Sequence, residues 1–409
     1  MSVSIKDIRA AQKTLAGQVV RTPLVPAKRL SEALGCELFL KLENQQATGS
    51  FKDRGAYNKL SQLTKEQAKN GVIAMSAGNH AQGVAYHAQR LGIPATIVMP
   101  EFAPFSKVER TRQLNARVIL TGDTLDASAG AAREVAAREN LTFVHPYDDP
   151  AIIAGQGTIG LEMMEDQPDL DAIVVPIGGG GIMSGIAIAA KDANPDIHMI
   201  GVEAALFPSM TDSLRKRVPS SGGTTLADGI AVKVPGELTK AIIKDLVDDI
   251  LLVDESAIEG AIAALVERQK LVSEGAGAAG LAAILSDPER FKGRKVATVI
   301  CGGNIDVRLL SGVLNRSLVR DGRLVRLRVE IVDRPGQLGS LTQIIAQAGG
   351  NIIEVFHQRL FADVPAKLAE IDVVIETRDQ HHVQEIIIAL AQQNFRSRVL
   401  STRSSESST

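Results

Sequence analysis

Apolar residues recur with two different periods along this chain, and the change of pattern divides it. From residue 5 to about residue 300, short apolar runs alternate with segments whose apolar positions repeat every three to four residues. Ile5–Leu15 has the pattern of an amphipathic helix, and 36–43 alternates as a strand. A helix is expected over 51–63, then a short one that Thr64 and Gln67 can open as a capping box. Next come a strand at Val72–Met75, a turn at 76–80, a helix over 82–91 and a strand at Ala95–Met99, with Gly92 and Pro94 breaking the helix. The alternation continues with helices at 104–114, 124–139, 151–164, 182–192, 255–271 and 276–285. Strands are expected at 116–120, 141–144, 172–177, 198–203, 250–253 and 295–300. Strands and helices in this order predict an α/β fold with parallel sheets covered on both faces. So many strands divide into two sheets, with a cleft at the strand ends between two lobes.

Beyond Arg323 the pattern is different. Residues 324–332 alternate as a half-buried strand, and Pro335-Gly336 opens a helix with Leu338, Leu341, Ile344, Ile345 and Ala348 on one face. Strands follow at 351–358 and 369–376, then a helix bearing Val383, Ile386, Ile387 and Leu390, then a strand at 398–400. This βαββαβ order predicts a separate α+β domain. The expected division is 1–320, with a small lobe of about 55–148 inserted in a larger one, then 325–403, then a disordered polar tail at 404–409.

Composition narrows the function classes. With 45% hydrophobic residues the chain can bury large cores, and a net charge of -2 offers no footing for nucleic acid or an anionic membrane surface. Aromatics at 3% argue against base-stacking surfaces. Cys36 and Cys301 cannot make a disulfide framework, and the N-terminus lacks an apolar signal core, so a soluble cytoplasmic protein is expected. The stretch 172–190 is uncharged and long enough to span a bilayer, but Pro176 and four glycines make strand, turn and helix the better reading.

The candidate chemistry lies in the turns. Lys52 follows Gly49-Ser50-Phe51 at an expected helix start, and a desolvated amine there can capture a cofactor aldehyde. A solvated surface lysine is the commoner reading of the bare residue. Gly178-Gly179-Gly180-Gly181 lies between a strand and a helix, where small residues let backbone N–H groups converge on a phosphate. A dinucleotide turn competes, since Glu203 ends the next strand, but Met183 stands where that fingerprint needs a small residue. Ser76-Ala77-Gly78-Asn79-His80 is a second anion-ready turn, or equally a helix cap. Cys301-Gly302-Gly303-Asn304 could set a thiol against a heteroaromatic nitrogen, or simply bury a small residue.

In order and spacing, Ser50-Phe51-Lys52, Ser76 to His80, Gly178 to Gly181 and Cys301 to Asn304 resemble the motifs of the fold-type-II pyridoxal-phosphate enzymes. More narrowly they resemble threonine/serine dehydratases (threonine ammonia-lyases) over residues 5–320, and the region from 325 is similar to an ACT domain, as in the single-ACT, medium-length form. The resemblance implies a two-lobed, tryptophan-synthase-β-like catalytic region that uses pyridoxal 5'-phosphate. Its reaction would be the conversion of L-threonine to 2-oxobutanoate and ammonia, or of L-serine to pyruvate. It also implies the site. Lys52 would hold the cofactor covalently and remove the α-proton, with Phe51 flanking the ring. Gly178, Gly179, Gly180, Gly181 and the Ile182 N–H would hold the phosphate. Asn79 would bind the ring oxygen, and Cys301 would face the pyridine nitrogen. Ser76, the backbone around Gly78 and His80, and Ser50 would take the substrate carboxylate.

Two departures from related serine racemases stand out. Ala77 replaces their second acid/base serine, and Ser209 replaces an aspartate that shares a metal with the position of Glu203, so no metal is expected. In the ACT-like region, Gly336, Gln337, Leu338 and Asn351 are the candidate effector site for a branched-chain amino acid. An interface-only domain is the alternative, and either role implies a homo-oligomer, dimer or tetramer. Other readings kept open are an isomerase, a hydroxyaspartate dehydratase and a non-catalytic amino-acid sensor.

Overall fold

Apolar runs between residues 24 and 299 assemble into two separate sheets in the computed structural model, which describes residues 3–123, 125–358, 365 and 367–400. The larger sheet has the order Leu24–Pro26, Glu37–Lys41, Lys295–Val299, Ala172–Pro176, His198–Ala204, Asp249–Val253. All its pairings are parallel except the first, and Val296 sits between Leu38 and Ala172 in register. Every residue of Ala172–Pro176 is buried, as a strand covered on both faces requires. The helix Gly275–Ser286, rich in glycine and alanine, is buried from Gly275 to Ile284.

The smaller sheet is all parallel, in the order Arg117–Leu120, Ala95–Met99, Val72–Met75, Thr142–Phe143. Val72, Ala74, Ile97 and Met99 pack there with Val84, Ala85 and Ala88 of the helix Asn79–Leu91. In both sheets the candidate motifs follow the C-terminal ends of parallel strands, where loops are free to converge.

Contacts divide the chain into two units, 1–306 and 307–409. The second unit contains the antiparallel sheet Asn351–Gln358, Leu368–Glu376, Leu324–Val332, Arg396–Val399. Its helices Gln337–Gln347 and Gln380–Gln392 bury Leu341, Ile345, Val383, Ile386 and Leu390 against that sheet. The helix Val307–Arg320 also falls in this unit. The tail at 404–409 lies outside the described residues.

Several elements differ from the periodicity reading. The expected helix over 255–271 is α-helical only to Ala264; a π-helical turn, Leu265–Gln269, follows, and Lys270 ends it at φ +57°. Helices Lys28–Leu34, Ser209–Leu214, Glu237–Leu246 and Val307–Arg320 and the strand Leu24–Pro26 are additional. Among the described residues no helix is long and apolar enough to cross a membrane. The uncharged stretch 172–190 is a strand, the glycine turn and most of the helix Gly181–Ala193.

Candidate active site

Lys52 is the first residue of the helix Lys52–Leu60, and the segment before it is tied to the end of the central strand Lys295–Val299. Ser50 bridges to Gly302, and the Phe51 N–H donates to the Cys301 carbonyl at 3.0 Å. Two residues after Lys52, within the first turn, the buried Arg54 donates to Glu43 at 2.8 Å and to Glu162 at 2.7 Å. Lys41 joins Glu162 at 2.5 Å, completing a buried four-charge cluster that links the helix to the large sheet and to the helix Pro150–Asp166. Removing one partner from such a cluster costs about 3–5 kcal/mol, so it holds the start of the Lys52 helix firmly.

The Lys52 amine donates to the Pro146 carbonyl at 2.7 Å and lies 5.0 Å from the centre of the Phe51 ring. It is partly accessible, yet burial lowers its pKa to about 8, with Glu274 opposing the shift. An amine in that range is available as a base near neutrality.

Pro146 also connects the lysine to the glycine turn. Its neighbour Tyr147 lies against Gly179, where a Cβ would come 2.2 Å from the aromatic ring. Gly180 has φ +95° and caps the helix Gly181–Ala193. Thr239 donates to the Gly179 carbonyl at 2.6 Å, and the Asp148 carboxylate accepts from the N–H groups of Glu237, Leu238 and Thr239 at 3.0 to 3.2 Å. The turn is thus clamped from two sides by residues whose spacing gave no signal. The first N–H groups of a helix have no intrahelical partner, so this end suits an anion.

At the second turn, the Ser76 hydroxyl accepts from the Gly78 N–H at 3.0 Å and keeps its own proton to donate. The His80 ring is occupied elsewhere: it lies 2.9 Å from the Val144 carbonyl, and burial, with Lys52 adding, lowers its pKa to about 3. Only the backbone of His80 is therefore available at the turn. Asn79 donates to Glu274 at 2.7 Å and accepts from Asn304 at 2.9 Å, which joins this turn to the 301–304 segment. Burial pushes the Cys301 thiol up, so it is neutral.

The structure thus links Ser50, Phe51, Lys52, Asn79, Cys301 and the glycine turn through short contacts. Two features fit a phosphorylated aldehyde cofactor and an amino-acid carboxylate: a glycine turn at the N-terminus of the helix Gly181–Ala193, and a buried Ser50 hydroxyl with no hydrogen-bond partner. Pro146, Tyr147, Asp148, Thr239 and Glu274 are the site residues that motif reasoning missed.

Glu203 accepts from the Met210 and Thr211 N–H groups at 2.7 and 3.0 Å, and so caps the helix Ser209–Leu214. Among the described residues no group of three His, Cys, Asp or Glu is placed to hold a metal. In the second unit, Gly336 has φ +90° before the helix Gln337–Gln347, Leu338 is partly exposed, and Asn351 donates to Glu376 at 2.9 Å. Gln337, with Glu330, Val332, Leu368 and Phe395, lines a recess of about 330 Å³.

Comparisons with known proteins agree on a family. A family model described as pyridoxal-phosphate dependent enzyme matches residues 15–302. The chain is 50% identical to an L-threonine ammonia-lyase of Thermotoga maritima, over 97% of this chain and 100% of the relative. The processed form of threonine deaminase isoform 2 from Solanum lycopersicum superposes with a TM-score of 0.74 at 35% identity, covering 78% of this chain and 91% of that one. Maize serine racemase superposes with a TM-score of 0.72 at 36% identity, over 78% of this chain and 99% of the racemase.

Proposed function

The chain belongs to the pyridoxal-phosphate dependent enzymes, and on that premise we propose that it is a lyase acting on L-threonine, yielding 2-oxobutanoate and ammonia. L-Serine, giving pyruvate, is the second substrate. The observation that carries the chemistry is the placement of Lys52: a desolvated amine fixed at a helix start, beside the clamped glycine turn and the unpartnered Ser50 hydroxyl. The choice of threonine rests on the full-length likeness to an L-threonine ammonia-lyase.

Pyridoxal phosphate, when bound, supplies the electron sink that lets a substrate Cα–H bond break. Lys52 is its covalent anchor, Gly178 to Gly181 and the Ile182 N–H hold its phosphate, Phe51 flanks it, and Asn79 donates to its ring oxygen. The neutral Cys301 thiol would be the partner of its ring nitrogen. Ser50, Ser76 and the backbone at Gly78 and His80 receive the substrate carboxylate. Lys52, released as the free amine, takes the α-proton and as ammonium returns it to the departing β-hydroxyl, which leaves as water; the released enamine tautomerises to an imine, and one water hydrolyses its C=N bond to give the 2-oxo acid and ammonia. The low pKa of the His80 ring keeps it neutral, so it is no proton donor here.

The likeness to a serine racemase raises isomerisation as a second reading. Ala77 stands against it, because an alanine cannot deliver a proton to the opposite face of the substrate carbon. The test incubates purified protein with L-threonine, L-serine and 3-hydroxyaspartate, recording ammonia, 2-oxo acid and D-enantiomer. Threonine is expected to give oxo acid and ammonia in equal amounts, with D-allo-threonine, the product of inversion at the α-carbon alone, a minor product. Dominant D-enantiomer would overturn the lyase reading, and absence of ammonia would leave an amino-acid sensor.

The second unit is read as an ACT-like regulatory domain, and the enzyme as a cytoplasmic homo-oligomer. The βαββαβ order and the recess beside Gln337 support an effector site near Gly336, Gln337 and Leu338, whereas Asn351, opposite Glu376, lies at the other end of the sheet within one chain. Isoleucine or valine bound there shifts threonine saturation only through a difference in affinity between two arrangements of the protein. Titrating both amino acids against full-length protein and a variant lacking 325–409 tests this. An equal response in both would move the effector site into the first unit.

A further inference from the structure

Glu274 belongs to none of the motifs, and the chemistry above does not use it, yet it is a buried carboxylate on the wall of the site. It stands before the helix Gly275–Ser286, and its N–H donates to the Gly302 carbonyl at 3.1 Å. Its Oε1 accepts from Asn79 Nδ2 at 2.7 Å. The other end of the Asn79 amide is held as well. Asn304 Nδ2 donates to Asn79 Oδ1 at 2.9 Å and to the Thr48 carbonyl at 2.8 Å, so the Asn304 amide cannot turn over without losing Thr48. An amide between an acceptor and a donor has one favoured orientation, and reversing Asn79 would set oxygen against oxygen at Glu274 and N–H against N–H at Asn304. A Cβ on Gly302 would lie 2.3 Å from Glu274 Oε1 and 3.2 Å from Asn79 Nδ2, so this wall tolerates no side chain there.

We propose that Glu274 is a positioning residue: by accepting one Asn79 N–H it fixes that amide so that the second N–H, and not the carbonyl, is offered to the cofactor's ring oxygen. This rests on the pyridoxal-phosphate reading of the site. A donor there stabilises an ionised ring oxygen, and a reversed amide would repel it.

The test titrates pyridoxal phosphate into cofactor-free protein and follows the visible absorbance of the bound form, with thermal melts as the control for folding. It is run at about pH 8.5, where Glu274, lifted by burial to about 7, is ionised. Glu274→Met is expected to bind the cofactor about tenfold to a hundredfold more weakly. Glu274→Gln, whose amide oxygen still accepts, should stay within about threefold of wild type. Because the effect acts through Asn79, Glu274→Met combined with Asn79→Ala should bind no more weakly than Asn79→Ala alone. Wild-type affinity in Glu274→Met, or losses that simply add in the double variant, would overturn the proposal. If Glu274→Met does not fold, Glu274→Gln is compared with Glu274→Gln/Asn304→Ala. Only the pair leaves Asn79 free to reverse, so a full loss in Glu274→Gln alone would also overturn it. Failure of the wild type to bind pyridoxal phosphate would remove the functional reading itself, whereas normal binding by every variant would remove only the role of Glu274.

Discussion

The two anion-ready turns of this site are built differently. Gly178 to Gly181 are all buried, and the turn is clamped by the Tyr147 ring, the Thr239 hydroxyl and a helix that Asp148 caps. Ser76 to Asn79 are only half-buried, and the contact within that turn is the Ser76 bond to Gly78. A preformed, enclosed cradle suits a group that stays through many turnovers. A more open turn with a hydroxyl to offer suits one that enters and leaves. Lys52 reaches the first region through Pro146, while Ser50 and Phe51 just before it bond to the 301–304 segment, whose Asn304 holds Asn79 of the second turn.

Lys52→Ala should have the largest effect, because the residue serves both turns. Turnover of threonine should fall about a thousandfold or more, the loss expected when a positioned acid/base group is removed. The glycine cradle is untouched in this variant, so noncovalent retention of the cofactor on gel filtration is the measurement that separates chemistry from binding. Ammonia release at the wild-type rate would remove the central claim.

Gly179→Ala breaks the clamped side alone. Its Cβ would meet the base of the Tyr147 ring, which the tyrosine hydroxyl also holds by donating to the Val234 carbonyl at 2.9 Å. Overpacking of this kind costs about 1–3 kcal/mol, so cofactor affinity should drop roughly tenfold to a hundredfold. Saturating cofactor should restore most of kcat. Ser76→Ala probes the open side. It should raise KM for threonine about tenfold by removing one bond to a carboxylate, with cofactor affinity unchanged. Equal effects of the two variants on cofactor affinity would erase the distinction between the turns.

What the sequence made legible follows the same divide. Gly178 to Gly181 and the Ser50-Phe51-Lys52 segment can be read because their chemistry needs particular residue types in consecutive positions. The strands could be read because burial on both faces leaves continuous apolar runs, as in Ala172–Pro176. The partners that clamp and orient these groups come from distant parts of the chain: Glu274 is 195 residues from Asn79, and Pro146 is 94 from Lys52. No local pattern marks such residues. The His80 ring, beside a turn where only the backbone was expected to act, is held by the Val144 carbonyl, a partner 64 residues away. The helix Glu237–Leu246 is amphipathic but follows Pro235-Gly236 and an irregular stretch, which obscured it. The π-helical turn after Ala264 leaves no trace in hydrophobic spacing.

The smallest expected effect concerns the stability cost of a preformed site. In the cofactor-free protein burial lowers Lys52 from 10.5 to about 8. Between those values the unfolded chain carries a proton that the folded one lacks, so this group's contribution to stability improves as pH rises through that window. Glu274 has the opposite sign. Burial, with Asp228 adding, raises it from 4.5 to about 7, so there the folded chain holds the extra proton and stability falls as pH rises. Taken together, the two buried groups are least favourable between about pH 7 and pH 8. Lys52→Met should therefore melt above wild type near neutral pH, by about 2–4 °C per kcal/mol recovered, and the gap should close toward pH 10. Glu274→Gln should gain on wild type between about pH 5 and pH 7 and hold that gain above it. Reading each variant as a difference from wild type across pH cancels every group the substitution leaves alone. A gap that does not change with pH would mean that the lysine is solvated in the free protein, and that the open side of the site extends to the amine itself.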